Sequence, residues 1–171
     1  MSEPEACEVA HGTAEPDPDV RTLVAVFASP VSRYLLKFAR DLGFHVALFE
    51  PDAARATDVP DEFEAATTLP ALDGSADVVV TDHHRPELGD VLKAALDQKP
   101  RWIGVLGNPR HPGPHVAALH SLGVPDAEIA RVHRPVGLNI GSRTPPEIAI
   151  ATLAGLLADR NGRPGGFDFT A

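Results

Sequence analysis

The stretch TLVAVFASPVSRYLLKFARDLGFHVALFE, Thr22 to Glu50, decides the fold. Its first run, Leu23 to Phe27, is short, unbroken and apolar and stops at Ser29-Pro30, as expected of a strand buried on both faces that feeds a helix. Val31, Leu35, Phe38, Ala39 and Leu42 then recur at helical spacing, and Gly43 stands where a C-cap glycine belongs. Val46 to Phe49 is a second buried strand with Glu50 at its C-terminal end. The order is strand, helix, strand, the unit of a parallel sheet.

Downstream the same alternation continues. Residues 51 to 74 are rich in Pro, Asp and Ala and read as a loop holding at most a short helix or minor strand. Asp77 to Thr81 is a strand, and Pro86 opens a helix with Leu88, Val91, Leu92, Ala95 and Leu96 on one face. Trp102 to Leu106 is the next strand, followed by a Gly107-Asn108-Pro109 turn and a helix near His111 to Leu122 that Gly123 closes. A short helical turn at Asp126 to Ala130 leads into an extended segment. The last helix, Pro145 to Arg160, carries apolar residues over too wide a face for one stripe. It is expected either to be buried all round or to cover that surface with a second copy in a homodimer. The pattern predicts an α/β, doubly wound, mostly parallel sheet with helices on both faces and right-handed crossovers, in a single domain over residues 21–162.

Composition narrows the function classes. With 171 residues and 43% hydrophobic content the chain supports about one core. Glu3, Glu5, Glu8, Glu15, Asp17 and Asp19 precede Val20 with no Lys or Arg among them, so residues 1–20 read as a disordered acidic tail and 163–171 as a C-terminal tail. A net charge of −9 disfavours nucleic acid and anionic membrane as partners. No run approaches the length of a membrane span, which makes a cytoplasmic location the expectation. Cys7 is the only cysteine, so an intrachain disulfide and a cysteine-built metal site are excluded.

In a doubly wound sheet ligands bind beyond the C-terminal strand ends. That edge gathers Ala28 to Ser32, Glu50, Thr81 to His84, Gly107 to Arg110 and Gly137 to Thr144. The segment PVGLNIGSRTPPE, Pro135 to Glu147, is the most ligand-like part. Thr144 is an N-cap, Pro145 and Pro146 fit a first helical turn, and Glu147 closes a capping box. Gly137 and Gly141 let backbone approach a bound group, and Arg143 adds a guanidinium beside the positive helix end, a combination that suits an anion such as a phosphate. Arg110 and Arg143 are each read as a phosphate clamp or a surface ion pair. Glu50 is either a contact for ribose hydroxyls or a solvated strand-end carboxylate. Asp82, His83, His84 and Glu87 can ligate a metal by residue type, but adjacent histidines in an extended loop point apart, so a polar ligand contact from Thr81 or His83 is preferred and no metal is assigned. His111, His115 and His120 are placed on one exposed or half-exposed helical face. His133 is read as a hydrogen-bonding partner of the crossing loop. Candidate cofactor contacts are therefore Ser29, Ser32, Glu50, Thr81, His83, Gly107, Arg110, Gly137, Gly141, Arg143 and Thr144. No catalytic residue is assigned.

The segment Pro135 to Ala149 is similar to P-I-G-L-D-I-G-A-R-T-P-E-E-I-A, Trp102 to Arg110 to Y-I-G-A-L-G-S-R-R, and Thr81 to His84 to T-H-D-H. These are motifs of the xanthine dehydrogenase accessory family, XdhC/CoxI, whose Rossmann domain the chain resembles from about Thr22 to Arg160. Members usually carry a further N-terminal domain that this length does not include. The resemblance implies a Rossmann-like fold and a protein that holds the molybdenum cofactor, protects it and delivers it to a molybdenum hydroxylase, such as xanthine or carbon monoxide dehydrogenase, and the expectation is a non-catalytic or weakly catalytic accessory role. One departure stands out. Where the family has G-A-G-H-V in its first turn, this chain has Ala28-Ser29-Pro30-Val31-Ser32, which removes the glycines that let a dinucleotide phosphate approach. NAD(P) is accordingly disfavoured. The alternatives are a nicotinamide-dependent oxidoreductase, with Glu50 on ribose and His83 or His84 moving a proton, and a ligand-free interaction module.

Overall fold

The computed structural model describes residues 3–13, 20–57 and 62–166. Residues 1–2 and 14–19 of the expected N-terminal tail and most of the C-terminal one (167–171) lie outside them. Within the acidic N-terminal stretch, Glu3–Ala10 is a helix, α1.

Six parallel strands build the sheet. Strand β1 (Thr22–Val26) leads through helix α2 (Pro30–Asp41) to β2 (His45–Phe49), as the deciding stretch predicts. The loop region contains helix α3 (Ala53–Thr57) and a two-residue edge strand, β3 (Ala65–Ala66). Then come β4 (Ala76–Val80), α4 (Leu88–Asp97), β5 (Trp102–Val105), α5 (Pro114–Ser121), α6 (Asp126–Ile129), β6 (Val132–His133) and α7 (Pro145–Arg160). The spatial order is β3-β2-β1-β4-β5-β6, all parallel, so the order reverses between β1 and β4. That junction is the topological switch point where the strand ends part to leave a crevice.

One difference from the sequence reading lies in α5. It begins at Pro114, not near His111, because Pro112 and Pro114 bracket a non-helical turn and Pro114 fits only a first helical position.

The sheet separates two cores. Val24, Val26, Val78, Val80, Ile103 and Val105 face α4 and α5; Leu23, Ala25, Leu48 and Val79 face α2 and α7. Helix α7 packs chiefly on α2 through Ala149, Leu153 and Leu156, leaving Ile150 53% exposed, so the helix is not buried all round. At the edge of the sheet remote from the crevice, buried Asp77 accepts from Arg101 Nε and Arg160 Nε, both at 2.6 Å, which ties the last turn of α7 to the start of β4.

Candidate functional site

The crevice at the switch point is filled by the protein's own charges. Glu50 is fully buried, and its carboxylate takes Arg85 in a bidentate bridge, Nη1 to Oε2 at 2.9 Å and Nη2 to Oε1 at 2.8 Å. The same two oxygens accept the N–H of Ala28 (2.9 Å) and of Asp52 (3.0 Å). Four donors satisfy a carboxylate's acceptor capacity, so Glu50 is neither solvated nor open to a ribose hydroxyl. This corrects both sequence readings of that residue.

Arg85, 6% exposed, also donates to Glu87 Oε1 at 3.0 Å, and its guanidinium lies 4.5 Å from the centre of the Phe27 ring. Phe27 adopts a left-handed φ of 72°, unusual for a non-glycine residue, directly at the end of β1. Arg85 is the residue that sequence reasoning missed. It lies 35 positions from Glu50, and no periodic pattern connects two single charges at that separation.

Burial alone would raise the pKa of Glu50, but the Arg85 hydrogen bonds and the two backbone N–H groups outweigh it and hold the carboxyl below its ordinary value. A carboxyl depressed in the folded state stabilises the fold above its unfolded pKa of about 4.3 and loses that contribution as pH falls through the lower folded value. The stability gap between wild type and Glu50→Gln is therefore expected to be full at pH 6 and to shrink steadily below about pH 4, as measured by urea unfolding across that range.

The first turn is equally occupied. Ser29 caps α2, its Oγ accepting the Ser32 N–H at 3.0 Å, while Ser32 Oγ accepts the Ser29 N–H at 2.9 Å. Ser29 Oγ also donates to Thr81 Oγ1 at 2.9 Å, and Thr81 Oγ1 lies within 3.0 Å of the carbonyls of Val26 and Phe27. With the Ala28 N–H on Glu50 and Pro30 lacking a donor, Val31 supplies the one N–H of the turn that has no intramolecular acceptor among the described residues. A diphosphate needs several such donors at a helix start. Ser29, Ser32 and Thr81 thus meet at the predicted edge, but they are bonded to one another.

The Pro135 to Glu147 segment is also reassigned. A Cβ on Gly137, at φ 89°, would lie 2.9 Å from the Ala151 backbone, and one on Gly155 would lie 2.9 Å from Gly137 Cα. Gly137 therefore serves a close crossing of the loop over α7, sealed by the Leu138 N–H donating to Ala151 O at 3.0 Å. Thr144 and Glu147 form the predicted capping box. Glu147 Oε2 accepts the N–H groups of Arg143 (2.7 Å) and Thr144 (3.1 Å), so a carboxylate already occupies the positive end of α7. Gly141 faces open space, and Arg143 and Arg110 are exposed and absent from the linings of both edge clefts. Gly107 is covered by Arg134, whose guanidinium a Cβ there would meet at 2.5 Å.

Two clefts flank the filled crevice. The first, about 610 Å³, lies between the start of α2, α3 and the first turn of α7; Ala28, Pro30, Leu48, Phe63, Pro145 and Pro146 supply apolar surface, with Ser29, Tyr34, Arg33 and Arg55 as polar groups. Arg33 and Arg55 are paired only loosely, at 3.7 Å to Glu62 and 3.6 Å to Asp52, and their side chains are each 55% exposed. The second, about 720 Å³, is lined by His83, His84, Asn108, His111 and the starts of α4 and α5.

Contrary to the expectation for an extended loop, the His83 and His84 rings lie together, centroids 4.1 Å apart, because Asp82 Oδ1 accepts the His84 N–H and turns the chain. Burial, helped by the charges of His84 and Arg134, lowers the pKa of His83 and keeps it neutral at pH 7. Glu87 is drawn to Arg85 instead of the histidines, and among the described residues no group of three His, Cys, Asp or Glu can hold a metal ion. His115 is buried and not on an exposed face, with burial and then Arg134 lowering its pKa. His111 lies outside the helix, and His133 stacks on Trp102 at 5.3 Å.

The family model described as the XdhC Rossmann domain matches residues 23–156. The uncharacterized protein YqeB of Escherichia coli (strain K12) is 35% identical over 154 residues, covering 84% of this chain and 28% of its own length. A crystal structure from Bacillus halodurans, described as that of a xanthine dehydrogenase, aligns with a TM-score of 0.66 at 25% identity over 84% of this chain and 45% of that one. The chain thus spans less than half the length of either relative.

Proposed function

The chain belongs to the family of XdhC Rossmann domains, and from that premise we propose that it is an accessory protein of a xanthine dehydrogenase-type molybdenum hydroxylase, holding the molybdenum cofactor for transfer. The observation that carries the reading is the family match over residues 23–156. The fold and the xanthine dehydrogenase description of the Bacillus halodurans protein support it.

The place proposed for this cofactor is the first cleft, not the glycine loop. The corner at Gly137, Gly141 and Arg143 does not fit, since its glycine is packed on α7 and its helix end holds Glu147. The first cleft does fit a pyranopterin carrying one phosphate. At about 610 Å³ it lies in the usual range of small-molecule sites, and it joins apolar walls to two loosely paired arginines. Tyr34 and Phe63 would face the ring system and Arg33 and Arg55 the phosphate, the latter pair by charge-assisted hydrogen bonds. The bound cofactor supplies redox chemistry only in the client enzyme; this chain's residues bind it, orient it and exclude water.

Neither alternative gains support. A dinucleotide-dependent oxidoreductase needs the carboxylate and turn donors that are bonded internally here. An interaction module without ligand leaves the first cleft unexplained. Among the described residues no helix is long and apolar enough to cross a membrane.

The test is to purify the protein from cells making the cofactor and measure bound pterin fluorescence and molybdenum. Wild type is expected to carry both and Arg33→Ala/Arg55→Ala to lose most of each. Absence of both from wild type, beside a folded protein, contradicts the role.

A further inference from the structure

We propose that Arg85 is a specificity-determining residue: by locking Glu50 it makes the first cleft refuse nucleosides and accept compact, ribose-free planar anions. The inference rests on the first cleft being a ligand site, as proposed above, but not on the identity of any client enzyme. The cleft occupies the place, between the ends of β1 and β2, where doubly wound sheets receive the sugar of a nucleotide, and there a strand-end carboxylate holds the ribose hydroxyls. In this chain that carboxylate is Glu50, which is fully buried and withdrawn from the cleft lining, although it accepts the N–H of Ala28, which does line the cleft.

Arg85, which lines the second cleft, holds Glu50 from that side. Its two Nη atoms reach both Glu50 oxygens at 2.8 and 2.9 Å, Glu87 holds its remaining edge, and Phe27 closes one of its faces at 4.5 Å. A ribose hydroxyl would have to displace a bidentate bridge charged on both partners with a single bond from an uncharged donor, which is the weaker interaction. The Ala28 N–H is spent on the same carboxylate and cannot compensate. What stays open is the outer cleft, with apolar surface from Tyr34, Phe63 and Leu48 and positive charge from Arg33 and Arg55. That chemistry suits a planar heterocycle bearing a carboxylate or phosphate.

The experiment uses purified protein and two small probes, the fluorescent pterin-6-carboxylate and adenosine, which carries ribose but no phosphate and so does not depend on the closed first turn. Wild type is expected to bind pterin-6-carboxylate at least tenfold more tightly than adenosine. Arg85→Met is expected to tighten adenosine binding tenfold or more with little change for the pterin. Arg85→Lys, which keeps a cation but cannot bridge both oxygens, gives an intermediate gain and serves if the methionine variant does not fold. Equal binding of the two probes by wild type, or adenosine binding unchanged in a folded Arg85 variant, overturns the proposal. Because no molybdenum enzyme or cofactor synthesis is involved, failure of co-purification and failure of this selectivity are separate results.

Discussion

Arg85→Met is expected to lower the unfolding free energy by about 3–5 kcal/mol, the usual cost of removing one partner from a buried ion pair. The methionine keeps the apolar contact with Phe27 but leaves Glu50, fully buried, with two backbone N–H groups and no cation. Removing the charge as well, in Glu50→Gln/Arg85→Met, is expected to recover part of the loss, because much of the single-variant cost is an uncompensated buried charge. Urea unfolding of the two single variants and the double variant measures this as a coupling energy. Additive losses would show that the two side chains do not depend on each other. A change of this size is a large share of the 5–15 kcal/mol typical of a domain, so the lock is as much a structural keystone as a filter against nucleosides.

The second large effect concerns two glycines in the same loop. Gly137→Ala is expected to cost about 2–5 kcal/mol, adding the left-handed backbone penalty for an L residue to the overpacking of a Cβ forced against helix backbone. The clash is specific: φ is 89° and the new carbon would sit 2.9 Å from the carbonyl of Ala151. Gly141→Ala, at φ 68° but with open space around it, is expected to cost only about 1–2 kcal/mol. Thermal unfolding of the pair separates two meanings of a loop glycine. Equal losses would show that Gly137 is not the site of the crossing, and the loop would again be open to a ligand.

These cases show which parts of the molecule were legible. The strands β1, β2, β4 and β5 and helices α2 and α7 were readable because each is announced locally, by an apolar run, a 3.6-residue period, or a cap such as Ser29 or Thr144. Their alternation fixes the parallel sheet and hence the edge where ligands bind. The site itself depends on pairings across the chain. Glu50 looked like a ribose contact because its position at a strand end is a local fact, while its occupation by Arg85 is a tertiary one. The glycine loop looked like a phosphate cradle because close approach to a ligand and close approach to a helix require the same residue. A signal for the second meaning was present: Ala151 and Gly155, one turn apart, set small residues along one side of α7, opposite Gly137. Arg33 and Arg55 carried no signal, since exposed arginines on helices are ordinary, and only the folded chain sets both beside one cleft.

The central claim is that the switch point of this sheet is closed by internal hydrogen bonds and that ligands are received beside it. Following the amide resonances of Ala28, Ser29 and Ser32 during a titration with NAD tests this most directly, because those N–H groups are the ones bonded to Glu50 and to the two serine hydroxyls. The account predicts no saturable shift at these amides up to millimolar NAD. A saturable shift there, with the diphosphate drawing those N–H groups away from Glu50, Ser32 and Ser29, would contradict it.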